Sequence, residues 1–345
     1  MIERTEVTIY DIAAQLNVSP ATVSRGLRDH PAISKKTKKR ILDCAKKLGY
    51  RYNAFASNLR RRKSNTIGVI VPRLNSSFMS DIIAGIEKIT SESGYNTIIS
   101  QSLETEKKEI INATTMYKNM VDGLLISLAY DSESVEHFKP FIEKNIPVIF
   151  FDRVRSLNQC STIVIDNFKA AYDITSHLID SGCKRIMHIG GNLLCNVYND
   201  RFNGYKKSLA DHHLLFNPDY LIINHLGSGD GIEAAHSILQ MSVIPDAVFV
   251  ANDNCAANCM IGLKKNGIHI PEDICFAGFN NDSISSIVEP NLTTIDYRGF
   301  EMGEIAAKIL IDHLNQIRDA TRTETIVLRH KLIIRESSMK PVAVK

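Results

Sequence analysis

The sequence predicts two unlike parts in one chain. A small all-α helix-turn-helix headpiece comes first, and an α/β core of two doubly wound parallel-sheet lobes follows. Three observations lead there. Residues 1–65 carry 15 Lys/Arg against 5 Asp/Glu, a net +10, while the other 280 residues carry 26 against 33, a net −7. The basic segment has helical periodicity, with a short polar break between its first two helices. From Thr66 the pattern changes to short apolar runs alternating with amphipathic stretches, and this alternation runs through once and then restarts.

Bulk properties set the limits. A chain of 345 residues is too long for one ordinary core and fits two or three domains. At 44% hydrophobic and 23% charged, it has the composition of a water-soluble globular protein. No apolar run approaches the ~20 residues of a membrane span. "MIERTEVTIYDIAAQ" carries charges where an export signal needs an apolar stretch, so a cytoplasmic location is expected. The seven cysteines are irregularly spaced and lack a CxxC, which reads as free thiols in a reducing compartment.

In the headpiece, Thr8 is a good N-cap, with Asp11 near the positive helix end. Ile9, Ile12, Ala13 and Leu16 form one apolar face. "NVS" breaks this helix. Ser19 caps a second, with Pro20 at a position where a missing N–H costs nothing. Val23 and Leu27 face inward. Thr22, Ser24 and Arg25 point outward, with Pro20 and Ala21 at the tip. "SKKTKKRILDCAKKLGY" is a third helix with a lysine-rich start, ended by Gly49. In a helix-turn-helix the second helix enters the major groove and its first residues reach base edges. A generic helical bundle with a basic face is the competing reading. The +10 charge and the small outward residues favour DNA.

"VTIYDIAAQLNVSPATVSRGL" resembles the N-terminal signature of the LacI/GalR family of bacterial transcription regulators. "TVSR" sits where that family reads its operator, and the resemblance extends over residues ~7–338. It implies DNA contacts from Thr8, Ser19, Pro20, Ala21, Thr22, Ser24 and Arg25. It also implies that "NAFASNL", with Asn53, Ala56 and Leu59, folds into a hinge helix only on DNA. There Leu59 would wedge into the minor groove, with Arg60 beside phosphates. Tyr52 departs from the Pro that often precedes that Asn.

In the acidic part, "TIGVIVP", "YNTIIS", "VDGLLIS" and "IPVIFFD" read as strands with helices between them. "STIVIDN", "CKRIMHIGG", "DYLIINH", "PDAVFVAND" and "DICFAGFNND" read as the strands of a second sheet. Alternation of this kind means βαβ units and parallel sheets, with ligand bound in the cleft at the strand carboxyl ends. The resemblance implies a periplasmic-binding-protein-like core whose chain crosses between lobes three times, placed near 161–163, 290–293 and 323–326. The expected domains are therefore a headpiece at 1–52 and a hinge and linker at 53–65. The first lobe spans 66–162 plus 292–324, the second 163–291 plus 325–338, and a tail covers 339–345.

Polar residues cluster at the strand ends. The resemblance implies that Phe78, Asp152, Arg153, Arg201, Asn252, Asp253, Asn280 and Tyr297 line the effector cleft. Arg201 would clamp vicinal hydroxyls or a carboxylate. Asn252 offers a donor and an acceptor together, and Phe78 or Tyr297 would stack on an apolar ring face. Asp152 and Asp253 also fit as helix caps, and Phe78 as core. Asn280 stands in a Gly278-Phe279-Asn280 run where the family has Gly-aromatic-Asp. This points toward a partly anionic ligand such as a sugar acid or sugar phosphate, beside the family's usual carbohydrates.

No dinucleotide fingerprint, P-loop, HExxH or GxSxG occurs, so an enzyme on a doubly wound fold is disfavoured. Cys255 and Cys259, one helical turn apart, are packed thiols rather than a metal site, and no cofactor is expected. The expected partners are a palindromic operator, a small-molecule effector and a second copy of the chain. "ESSMKPVAVK" has no leucine heptads, so a dimer and not a tetramer is expected.

Overall fold

The computed structural model describes residues 7–50, 63–155, 160–318 and 323–340. The chain divides into two compact units, Met1–Ser64 and Asn65–Lys345.

The smaller unit holds α1 (Ile9–Leu16), α2 (Pro20–Leu27) and α3 (Lys35–Leu48). Each start is fixed locally. The Thr8 N–H and hydroxyl both donate to Asp11 Oδ2 at 2.7 Å. Ser19 accepts from the Thr22 N–H at 3.1 Å, and Ser34 from the Thr37 N–H at 3.2 Å. Each oxygen satisfies a backbone donor that the first turn leaves without a partner. Asn17 and Gly49 end α1 and α3 in the left-handed region, at φ 53° and 69°. The core is small: Ile12, Ala13, Val23, Ile41, Cys44 and Ala45. It draws on all three helices, so no pair of them buries its apolar face without the third.

The larger unit has two parallel sheets. The first is six-stranded, in the order β11-β5-β4-β3-β1-β2. Its strands are β1 (Thr66–Val71), β2 (Asn96–Gln101), β3 (Gly123–Ile126), β4 (Val148–Phe151), β5 (Ser161–Ile165) and β11 (Thr325–Leu328). The second is four-stranded, β7-β6-β8-β9, from β6 (Ile186–Gly190), β7 (Leu221–Ile223), β8 (Ala247–Val250) and β9 (Cys275–Ala277). A two-stranded antiparallel ribbon joins β10 (Thr294–Asp296) to β12 (Lys331–Ile333). The helices are α4 (Ser77–Glu92), α5 (Glu106–Lys118), α6 (Lys139–Glu143), α7 (Asn167–Asp180), α8 (Asn196–Asp211), α9 (Ser228–Leu239), α10 (Asp253–Lys264) and α11 (Gly299–Leu314).

Two expectations need correction. "STIVIDN" does not open the second sheet. It forms β5, which pairs in parallel with β4 through Ile149–Ser161 and the next two residue pairs. Likewise β11 pairs with β5 from Thr325–Thr162 to Leu328–Ile165. The first and third crossings therefore lie after Ile165 and Leu328, later than 161–163 and 323–326. Residues 163–165 and 325–328 belong to the first lobe. Both strands keep their hydrogen bonds until the first sheet ends, and only then does the chain leave.

Glycines set how closely the covering helices approach. A Cβ on Gly303 of α11 would lie 2.1 Å from the Ile82 carbonyl oxygen of α4, and one on Gly204 of α8 would lie 2.1 Å from that of Phe168 in α7. These helix pairs meet backbone to backbone. They anchor α11 on the first lobe and α7–α8 on the second, which fixes the two walls of the cleft.

Candidate functional site

In the headpiece, Ser19, Ala21 and Arg25 are exposed at the α2 start and along its outward face, with Thr22 and Ser24 half-buried beside them. Ser19 Oγ caps α2, the Thr8 hydroxyl donates to Asp11 at the start of α1, and the Thr22 hydroxyl lies 2.9 Å from Ser19 Oγ. Cap geometry thus holds the tip of α2 in one conformation. Tyr10 on α1, which the sequence reading missed, is 65% exposed. Its sequence signal was an aromatic on the polar side of an amphipathic helix. Asn53, Ala56, Leu59 and Arg60 lie outside the described residues.

In the larger unit, strand ends of both sheets border a cleft of about 420 Å³. Phe78, Asp152, Arg153, Arg201, Asn252, Asn280 and Tyr297 all line it. Phe78 is 6% exposed and Tyr297 2%, with ring centroids 4.2 Å apart, so Phe78 is both core and wall. Arg201 projects from α8 and is 3% exposed. Its Nε donates to Asn167 Oδ1 at 2.8 Å and its Nη1 to the Ala251 carbonyl at 2.9 Å. Its guanidinium carbon sits 3.6 Å from the Phe279 ring centroid. Packing and hydrogen bonds therefore fix the Arg201 fork before any ligand arrives.

Arg153 bridges the lobes. Its Nη1 donates to Glu104 at 2.6 Å and its Nη2 to the Tyr198 hydroxyl at 3.0 Å. Glu104 also pairs with Arg73 at 3.2 Å. Asp152 is buried in a left-handed conformation, φ 57°. Burial pushes its carboxyl above the usual range, and the adjacent Arg153 and Arg201 partly oppose that shift. Asn280, at φ 115°, accepts from the Tyr297 hydroxyl at 3.1 Å.

Asp253 is a correction. It is fully buried and does not line the cleft. Oδ1 accepts from the Thr294 hydroxyl at 2.7 Å, and Oδ2 from the Asp282 N–H at 2.8 Å. It ties the start of α10 to the ribbon strand β10, and burial pushes its pKa up to about 7. The cap of α10 is instead Asn252, whose Oδ1 accepts from the N–H groups of Asn254 and Cys255 at 2.9 and 3.1 Å.

The sequence reading missed Glu104, Tyr198 and Asp282. Tyr198 stands three residues before Arg201 on the same helix face, a signal that was present. Asp282 accepts from the Phe78 N–H at 3.2 Å, 204 residues away in sequence, and no local pattern announces that contact. Among the described residues, no group of three or more His, Cys, Asp and Glu could hold a metal ion, and all seven cysteines are free and buried. No described helix is long and apolar enough to cross a membrane.

Residues 8–53 match the profile of bacterial regulatory proteins of the lacI family, and residues 175–338 a periplasmic binding protein-like domain. Catabolite control protein A of Priestia megaterium is 32% identical over 333 residues, 96% of this chain and 99% of that protein. The chain belongs to the lacI family of bacterial regulatory proteins. The transcriptional repressor CytR of Escherichia coli K12 is 30% identical over 316 residues, 90% of this chain and 91% of its own. In fold, the chain matches the lac repressor dimer bound to operator and an anti-inducer at a TM-score of 0.83 and 22% identity, covering 97% of this chain and 100% of that one. As a lacI-family member, the protein is a ligand-responsive, sequence-specific DNA-binding transcription regulator and not an enzyme.

Proposed function

We propose that the protein is a cytoplasmic, homodimeric repressor of a palindromic operator, controlled by an uncharged carbohydrate or similar polyol bound between the lobes. The pairing of the cleft's cations carries this reading. Arg73 and Arg153 already share Glu104, and two nitrogens of Arg201 are taken by Asn167 and Ala251. A phosphate or sugar acid would have to displace Glu104 and meet Asp152 and Asp282. Burial raises both of those carboxyl groups above their usual range. A neutral polyol exchanges hydrogen bonds with all of these groups and brings no charge to balance. Asn280 adds no positive charge, since an amide is neutral, and its Oδ1 already accepts from the Tyr297 hydroxyl. This reading departs from the anionic ligand that Asn280 alone suggested. The ribose operon repressor of Haemophilus influenzae, 29% identical over 332 residues, and the solved CelR–cellobiose complex fit a carbohydrate.

In this reading Arg201, Asn252, Asn280 and the Phe78–Tyr297 pair hold the effector, while Arg25 and its neighbours on α2 read the half-site. One headpiece covers one half-site, so a palindrome calls for two copies. Effector and operator affinities are then linked reciprocally, typically by ~1–3 kcal/mol. The test is a thermal-shift screen of neutral sugars, sugar acids, sugar phosphates and nucleobases on the full-length protein. A neutral sugar should raise Tm. A shift with sugar phosphates alone would overturn the proposal.

A further inference from the structure

We infer that Tyr130 is a positioning residue: a first-lobe phenol seated in the second lobe that helps to set the lobe–lobe angle from outside the effector cleft. Tyr130 lies in the loop that follows β3, yet it packs against the second lobe's core cluster. Its hydroxyl donates to the Asn224 carbonyl at 2.7 Å and accepts from the Asn192 N–H at 2.6 Å. The Asn192 side chain returns a bond to the Tyr130 carbonyl at 3.3 Å. Asn192 and Asn224 follow β6 and β7, so one hydroxyl joins two neighbouring strand ends of the opposite lobe. The ring lies 5.4 Å from that of His225 and 5.9 Å from that of Tyr198, both cleft residues. Tyr130 itself does not line the cleft.

A contact of this kind positions something only if its base is rigid, and the base here is braced. The fully buried Glu109 carboxylate on α5 accepts from the Ala129 N–H at 2.6 Å, from the Ser132 hydroxyl at 2.9 Å, and lies 3.0 Å from His137 Nε2. Glu106 accepts from the Ser134 N–H at 3.0 Å. The loop is thus fixed on both sides of Tyr130 by carboxylates of one helix. Burial pushes the Tyr130 hydroxyl up to about 12, so it stays neutral and keeps both its donor and acceptor roles near neutral pH. Because these bonds lie outside the cleft, they favour the lobe arrangement in which they form whatever the effector is. A ligand acts on an equilibrium that Tyr130 has already biased.

The test is double electron–electron resonance on the full-length protein. Spin labels enter through a non-natural amino acid at Lys107 in the first lobe and at Leu215, which is 95% exposed, in the second. With no small molecule added, Tyr130→Phe should shift the ratio of long to short inter-lobe distances by about tenfold, as expected when loss of a half-buried hydroxyl leaves two partners unpaired. Glu109→Gln, which frees the base and leaves the phenol in place, should shift it in the same direction by less. An unchanged distribution in Tyr130→Phe, with Tm preserved, would overturn the inference. So would a shift in Glu109→Gln with none in Tyr130→Phe. Neither readout involves the effector, so failure here leaves the carbohydrate proposal standing, and the reverse holds as well.

Discussion

The headpiece and the larger unit solve the same problem on different scales. Three helices in the headpiece rest on six buried side chains, and each start is set by a cap within three residues. The larger unit rests on long-range agreements. Asp282 meets Phe78 across 204 residues, and Arg153 meets Glu104 across 49. A small module that reads DNA can be specified locally because it has one rigid face to present. A sensor needs two walls that move against each other, so its decisive contacts join segments far apart in sequence.

The sharpest way to break this comparison is Ile12→Ala. Ile12 is fully buried in the smallest core, and its truncation should cost about 2–5 kcal/mol. Circular dichroism and mobility-shift assays should show loss of the headpiece and of DNA binding, with the larger unit's Tm unchanged. A parallel drop in both units would mean that they do not fold independently.

Gly303→Ala should do the reverse, costing the larger unit about 1–3 kcal/mol through collision with the Ile82 carbonyl while headpiece melting stays put. Arg201→Ala should abolish the ligand-induced Tm shift, spare DNA binding, and lower basal stability by about 1–3 kcal/mol. The last effect arises because Asn167 Oδ1 and the Ala251 carbonyl lose their donor. A retained ligand shift would remove Arg201 from the site.

Asp253→Asn tests the buried brace through pH. The folded state holds the Asp253 proton up to about pH 7, whereas an exposed carboxyl loses it near 3.8. Between those values the native state binds more protons, so stability falls as pH rises. The amide should flatten that slope, raising Tm by several degrees at pH 8 and scarcely at pH 5. An unaltered Tm–pH profile would show that Asp253 ionises normally. The smallest effect is Thr8→Ala, about 1 kcal/mol from the headpiece, read as a lower helix melting temperature.

Legibility followed the range of each interaction. Thr8, Ser19 and Gly49 were readable because a cap is decided by residues within one turn. Arg201 was legible through the family resemblance, but its partner Asn167 was not. Asp253 was expected to line the cleft or cap α10; its neighbour Asn252 does both, and Asp253 is the buried brace. A one-residue rotation about the helix axis decides which is which, and composition does not encode it. "STIVIDN" was correctly a strand and assigned to the wrong sheet, because its alternating burial matches either one.

The sequence by itself determined the division into a basic helical reader and an acidic α/β sensor, the three headpiece helices and the parallel-sheet class. Each of these follows from local periodicity, caps and charge. Tertiary structure alone decided where the chain changes lobes, that Glu104 pairs with two cleft arginines, and that Tyr130 of one lobe sits in the other. Those are pairings between surfaces whose residues are dozens to hundreds of positions apart. Their energies depend on distances that exist only once both sheets have formed.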